Sequence, residues 1–208
     1  MNRQSARAKA NAYHHGDLKA AMLRETERIL ERDGVQGLSL REAARAVGVS
    51  HAAPANHFGD LTGLLSELAA SGFVRFSAAL VGAMASAGDA PSAKTAAMGR
   101  AYVRFARAHP QLFALMFQSA RLDPERPALR EAIGAAREAL RQAVAARAPA
   151  KPPSPLEGVA RGAAMWSLVH GFATLLLDGR LDGMIAALPP SEDADSLFEA
   201  VLAAATVA

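Results

Sequence analysis

The stretch Leu38-Ser-Leu-Arg-Glu-Ala-Ala-Arg-Ala-Val-Gly-Val-Ser-His-Ala-Ala-Pro-Ala-Asn-His-Phe58 decides how this chain is read. Ser39 and Glu42 have the spacing of a capping box, so a helix opens at Ser39 and runs to about Ala46, where Gly48 stops it. Ser50 restarts the pattern as a second N-cap and predicts a short helix from His51 to about His57. Pro54 falls near the end of that helix's first turn, where it removes at most one hydrogen bond, so mild distortion and no break is expected. Two short helices joined by a four-residue turn containing glycine give the outline of a helix-turn-helix.

Upstream, Leu18, Ala21, Met22, Ile29 and Leu30 recur at helical spacing, with Asp17 suited to cap the helix and Gly34 to stop it. Residues 1–16 carry Arg3, Arg7 and Lys9 without an acid and read as a basic, disordered arm. No apolar run follows them, so a secretory signal is not expected. Downstream, Asp60 caps a long fourth helix, because Leu61, Leu64, Leu65, Leu68, Gly72, Phe76 and Leu80 follow every three or four residues.

The remainder reads as helix throughout. Pro91 opens a helix on which Tyr102, Phe105 and His109 share a face, and His109-Pro110 breaks it. A short apolar helix, Leu112 to Phe117, precedes a charged loop, and Pro127 to about Ala148 forms a helix with a solvated face. Residues 149–155 hold four prolines and read as a flexible linker. Leu156 to about Asp178 and Asp193 to Ala208 finish the chain. The 16 uncharged residues from Gly162 to Leu177 are short for a membrane span of about 20 and are expected to form a buried helix.

Composition agrees. Of 208 residues, 50 are alanine, while Val, Ile and Thr together supply 19, which favours an all-α chain over a sandwich or barrel. The 51% hydrophobic content suffices for a packed core. The chain has no cysteine, which excludes disulfides, Cys-ligated zinc and thiol catalysis and is compatible with the cytoplasm. A net charge of +3 does not by itself announce nucleic acid.

Tyr13-His-His-Gly-Asp-Leu18, Gly37-Leu-Ser-Leu-Arg-Glu-Ala-Ala44 and Val47 to Phe58 together resemble the tetracycline-repressor (TetR) family of transcriptional regulators. His109-Pro-Gln-Leu-Phe-Ala-Leu-Met-Phe117 and Trp166-Ser-Leu-Val-His-Gly171 look like segments of one TetR subgroup. The resemblance implies a helix-turn-helix DNA-binding domain over 17–60 and a helical effector-binding and dimerisation domain over 61–208. It implies a homodimer through the last two long helices, a double-stranded DNA operator, and release by a small apolar or aromatic effector.

Carried over by position, the implied DNA contacts are Ser39 and Arg41 on the second helix and Ser50, His51, Ala52, Ala53, Asn56 and His57 on the third. Arg41 suits guanine, Asn56 suits adenine or phosphate, and the serines offer hydroxyls and helix N-termini. Two departures matter: Ala55 stands where relatives commonly have tyrosine, and Leu61 where they have lysine. Both replaced residues usually touch the DNA backbone, so fewer phosphate contacts are expected. The arm bases Arg3, Arg7 and Lys9 are candidates to compensate.

For the effector, Phe76, Tyr102, Phe105, Phe113, Met116, Phe117, Trp166 and His170 are candidates to line a cavity between helices. Tyr102, Trp166 and His170 combine an apolar body with a polar atom and are best suited to orient a ligand.

Other classes find little support. The sequence holds no Gly-rich phosphate loop, nucleophile elbow or His-Glu-x-x-His, so neither enzyme nor cofactor is expected. His14 and His15 beside Asp17 do not converge readily on a metal, and no metal site is expected. The competing reading is a TetR-like ligand-binding or interaction protein whose DNA binding is weakened or lost, motivated by Ala55 and Leu61.

Overall fold

The computed structural model of the chain describes residues 3–50, 52–117, 119–145 and 154–207. His51 and the side chains of Arg3, Arg7 and Lys9 lie outside the described residues, as do residues 146–153, which hold most of the expected linker. Among the described residues there is no strand. The α-helices are α1 (Arg3–Asp33), α2 (Leu40–Ala46), α3 (Ala53–Phe58), α4 (Leu61–Ala85), α5 (Pro91–Ala108), α6 (Pro110–Phe117), α7 (Pro127–Ala145), α8 (Pro155–Leu177), α9 (Asp182–Ala186) and α10 (Ala194–Val207).

Most helix ends follow from local chemistry. Ser39 caps α2, its hydroxyl accepting the Glu42 N–H at 3.0 Å, while the Glu42 carboxylate pairs with Arg45. At the other end Gly48 adopts φ 70°, and the amides of Gly48 and Val49 bond back to the carbonyls of Arg45 and Ala44. That left-handed cap costs a glycine nothing and turns the chain sharply toward α3. Asp60 caps α4 by accepting the Gly63 N–H at 2.8 Å.

Three boundaries differ from expectation. Helix α1 starts at Arg3 and passes through Asp17, because Ala6, Ala8, Ala10 and Ala12 favour helix and no proline intervenes. Helix α3 opens at Ala53 with Ala52, and not Ser50, at its N-cap. Pro54 thereby occupies the first turn, where its missing N–H is one of the helix's unpaired donors anyway. Ser154, inside the proline-rich stretch, forms a full capping box with Glu157 and starts α8.

The chain divides into two compact units. The first comprises residues 1–73 and 111–133, the second residues 74–110 and 134–208. In the first, Met22, Ala43, Phe58 and Leu64 form the core under the helix-turn-helix, with Leu18, Leu23, Leu40, Val47 and Leu61 packed around it. Helix α6 belongs to this unit. The Glu31 carboxylate of α1 accepts the N–H groups of Gln111 and Leu112 at 3.2 and 3.0 Å, capping α6 from outside its own sequence.

In the second unit, α5, α8 and α10 bury Met98, Tyr102, Val169, Phe172, Ala173 and Phe198, with Phe172 and Phe198 ring centroids 4.7 Å apart. Arg100 pairs with Glu199 and Arg107 with Asp195, joining α5 to α10 at the surface. Helix α8 is not the buried helix expected. Leu156 is 78%, Val159 71% and Trp166 46% exposed, because one of its two apolar faces packs inward while the other stays open. Periodicity cannot separate such faces when both are apolar.

Candidate nucleic-acid interface and effector cluster

Helix α3 is six residues long and two-sided. Pro54 and Phe58 are buried, Phe58 in the core of the first unit, whereas Ala52, Ala55 and Asn56 are exposed. Ser39, Arg41 and Ser50 are exposed as well, with Ala53 and His57 intermediate. Arg41 takes part in no ion pair among the described residues, in contrast to Arg45, which is held at 2.6 Å from Glu42. A cation without a partner on an open face is suited to guanine or phosphate.

Small side chains at 52, 53 and 55 leave α3 slim. The Asn56 amide stands exposed beside them. Leu61, at the start of α4, is partly buried. It is turned onto the core cluster beneath α3 and serves as packing.

The eight effector candidates are divided between the units. Phe113, Met116 and Phe117 lie in the first, where Phe117 meets Phe73 edge-on at 5.5 Å and Phe113 at 4.8 Å. Met116 fills the space against Gly72, where an added Cβ would come within 2.8 Å of its sulfur. In the second unit Phe76, Tyr102, Phe105, Trp166 and His170 come together. Phe76 packs edge-on against Tyr102 at 4.9 Å and Phe105 at 5.2 Å, and Trp166 lies 5.7 Å from His170.

The Tyr102 hydroxyl and His170 Nδ1 are 2.9 Å apart, the imidazole tautomer deciding which group donates. Burial pushes the Tyr102 phenol up, an effect that a hydrogen bond from Trp166 opposes, and burial pulls the His170 imidazole down. Both groups are therefore neutral near pH 7, a polar pair within an aromatic cluster. Two clefts of the second unit lie elsewhere. One of about 210 Å³ is lined by Thr95, Met165, Leu168 and Leu202, and one of about 450 Å³ by Arg100, Arg104, Val103 and Phe198; none of the eight candidates lines either. No group of three or more His, Cys, Asp or Glu poised for a metal occurs among the described residues.

Sequence reading missed Glu31, Glu67, Lys19 and Arg126, which tie the first unit together. Their partners lie tens of residues away, so local spacing carries no signal for them.

The family description "Tetracyclin repressor-like, C-terminal domain" matches residues 95–205. The chain is similar to a protein of unknown function from Rhodococcus sp. RHA1, at 36% identity over 92% of this chain and 97% of that one, with a TM-score of 0.73. Its fold also matches the TetR family transcriptional regulator PfmR from Thermus thermophilus, at 21% identity, 87% and 94% coverage and a TM-score of 0.59. RolR, solved in complex with resorcinol, matches at 20% identity, 92% and 88% coverage and a TM-score of 0.58. No curated protein matches the chain significantly. An all-helical fold with a helix-turn-helix ahead of a helical bundle is what this chain shares with these structures. The chain belongs to the TetR family, whose members are DNA-binding regulators and not enzymes.

Proposed function

We propose that this protein is a cytoplasmic repressor that binds a pseudo-palindromic DNA operator as a homodimer and is released by a small apolar or aromatic ligand. The observation that carries the DNA-binding reading is the open face of Ser39, Arg41, Ala52, Ala55 and Asn56, backed by buried Phe58. In a dimer the two α3 helices would sit about 34–36 Å apart, one turn of DNA. Arg41 would read guanine and Asn56 adenine or phosphate, with Ser39, Ser50, His51 and His57 fixing register on the backbone. Arg3, Arg7 and Lys9 would add charge along the DNA.

Dimerisation draws support from α8 and α10. Leu156, Val159, Ala163, Ala164 and Leu175 on one, with Ala200, Ala203 and Ala204 on the other, are exposed or partly exposed apolar or small side chains. Covering Leu156 and Val159 would contribute about 2 kcal/mol each per subunit. For the ligand, the neutral Tyr102–His170 pair among Phe76, Phe105 and Trp166 suits an aromatic molecule with one hydroxyl or carbonyl. The resorcinol complex of RolR is a precedent in the same fold. A ligand that binds the released conformation more tightly shifts the population toward it.

Fluorescence anisotropy of the full chain against DNA upstream of its own coding sequence, over a series of salt concentrations, tests the reading. Sequence-selective binding that weakens with salt supports it. Salt-insensitive or absent binding favours instead a TetR-like ligand-binding protein without DNA function, for which Ala55 and the inward-turned Leu61 are the specific observations.

A further inference from the structure

Helix α3 is too short to hold itself in place, since a helix of under two turns gains too little from its own hydrogen bonds. Its last residue, Phe58, presents a carbonyl that no further turn of helix can satisfy. Arg126, from the loop before α7, reaches that carbonyl with Nη1 at 3.3 Å. The same guanidinium donates from Nε to Glu67 of α4 at 2.8 Å, and the other oxygen of Glu67 takes Lys19 of α1 at 2.8 Å. Glu67 is 12% and Arg126 21% exposed.

The surroundings make room for this bond and aim it. Gly63 lies where an added Cβ would stand 1.9 Å from the Phe58 oxygen and 2.7 Å from Arg126 Nη1, so a side chain there would close the path. The loop is fixed by the Asp123 N–H, which donates to Ser66 Oγ at 2.8 Å, and by the Arg126 N–H, which donates to the Asp123 carbonyl. Burial works against a charged Glu67, but the bonds from Lys19 and Arg126 keep its carboxyl below the usual carboxylate range. Both cations thus face a carboxylate at neutral pH.

We infer that Arg126 is a positioning residue for DNA recognition: it caps the C-terminus of α3 from outside the helix-turn-helix and, with Glu67 and Lys19, fixes that helix against α1 and α4. A cation at a helix C-terminus is also favoured by the helix dipole. The functional consequence rests on the DNA-binding reading above. Without the guanidinium, the end of α3 carrying Asn56 and His57 loses its external anchor while α2, capped by Ser39, keeps its own.

The test uses full-length wild type, Arg126→Ala, Arg126→Lys and Glu67→Gln, with DNA anisotropy across salt concentrations and amide hydrogen exchange without DNA. For Arg126→Ala the expected results are a loss of DNA affinity of about tenfold, an unchanged slope of affinity against salt, and faster exchange at residues 55–58 with α2 unaffected. Arg126→Lys restores part of the affinity. A slope reduced by about one unit would make Arg126 a phosphate contact, and unchanged affinity and exchange would show α3 to be self-supporting; either overturns the inference. Should Arg126→Ala fail to fold, Glu67→Gln decides, since at constant volume it removes the charge that holds the guanidinium and is expected to speed exchange at residues 55–58 with α2 unaffected. If wild type binds no DNA, the functional reading above fails, and the exchange result still decides whether Arg126 anchors α3.

Discussion

Leu61, at the start of α4, packs against the core that Phe58 closes at the end of α3. The position where the family resemblance implies a lysine on the DNA backbone is here a partly buried leucine packed on the protein's own core. Leu61→Lys should therefore trade stability for affinity. The expected cost is about 1 kcal/mol of unfolding free energy, from lost packing of a half-buried leucine. Against it, DNA affinity at low salt should rise and the salt slope should steepen by about one unit per added phosphate contact. Urea unfolding and a salt titration read the two effects separately.

Glu31 and the first turn of α6 predict a different kind of loss. Glu31→Ala removes the acceptor of two helix-terminal N–H groups, at Gln111 and Leu112. Loss of such a cap typically costs about 1 kcal/mol. Glu31→Gln keeps an acceptor and should cost less. Urea midpoints of the two variants check the order.

His170 predicts a pH dependence with a definite sign. Burial holds its pKa below the ordinary value of 6.5, so the folded protein favours the neutral imidazole. Its contribution is fully present above the unfolded value and is lost as pH falls through the folded one. The melting temperature should consequently drop on acidification below about pH 6.5. His170→Gln should flatten that part of the profile, measured by calorimetry from pH 8 to pH 5.

The open face of α8 predicts the assembly. Leu156→Asp combined with Val159→Asp places two charges on residues that are 78% and 71% exposed in the single chain. The monomer should tolerate both, since surface substitutions usually change stability by about 0.5 kcal/mol or less. Sedimentation should show wild-type dimers and variant monomers, and the variant should lose most of its DNA affinity.

Much of the fold was legible in local chemistry. Ser39, Gly48, Asp60, Pro91 and Pro127 each mark a boundary through their own backbone preference, and each boundary falls where that preference puts it. Ser50 misled because its spacing fits a cap, yet Pro54 is better placed in the first turn and moves the start of α3 to Ala53. The capping of α6 by Glu31 could not be read, because the partners lie 80 residues apart in the chain. The same holds for Arg126 and Phe58. Of the candidate interface, Arg41 and Asn56 were named from the family resemblance, and both are exposed. The splitting of the aromatic effector candidates between two units could not be read, because a stripe of phenylalanines looks alike in either core.

Selection of bound sequences from a random DNA library by the full-length protein tests the central claim most directly. The expected result is an inverted repeat with half-site centres about 10 base pairs apart, and a preference that relaxes at one position per half-site in Arg41→Ala at a cost of about 1–3 kcal/mol. No enriched sequence, or an enriched site that Arg41→Ala reads identically to wild type, would contradict it.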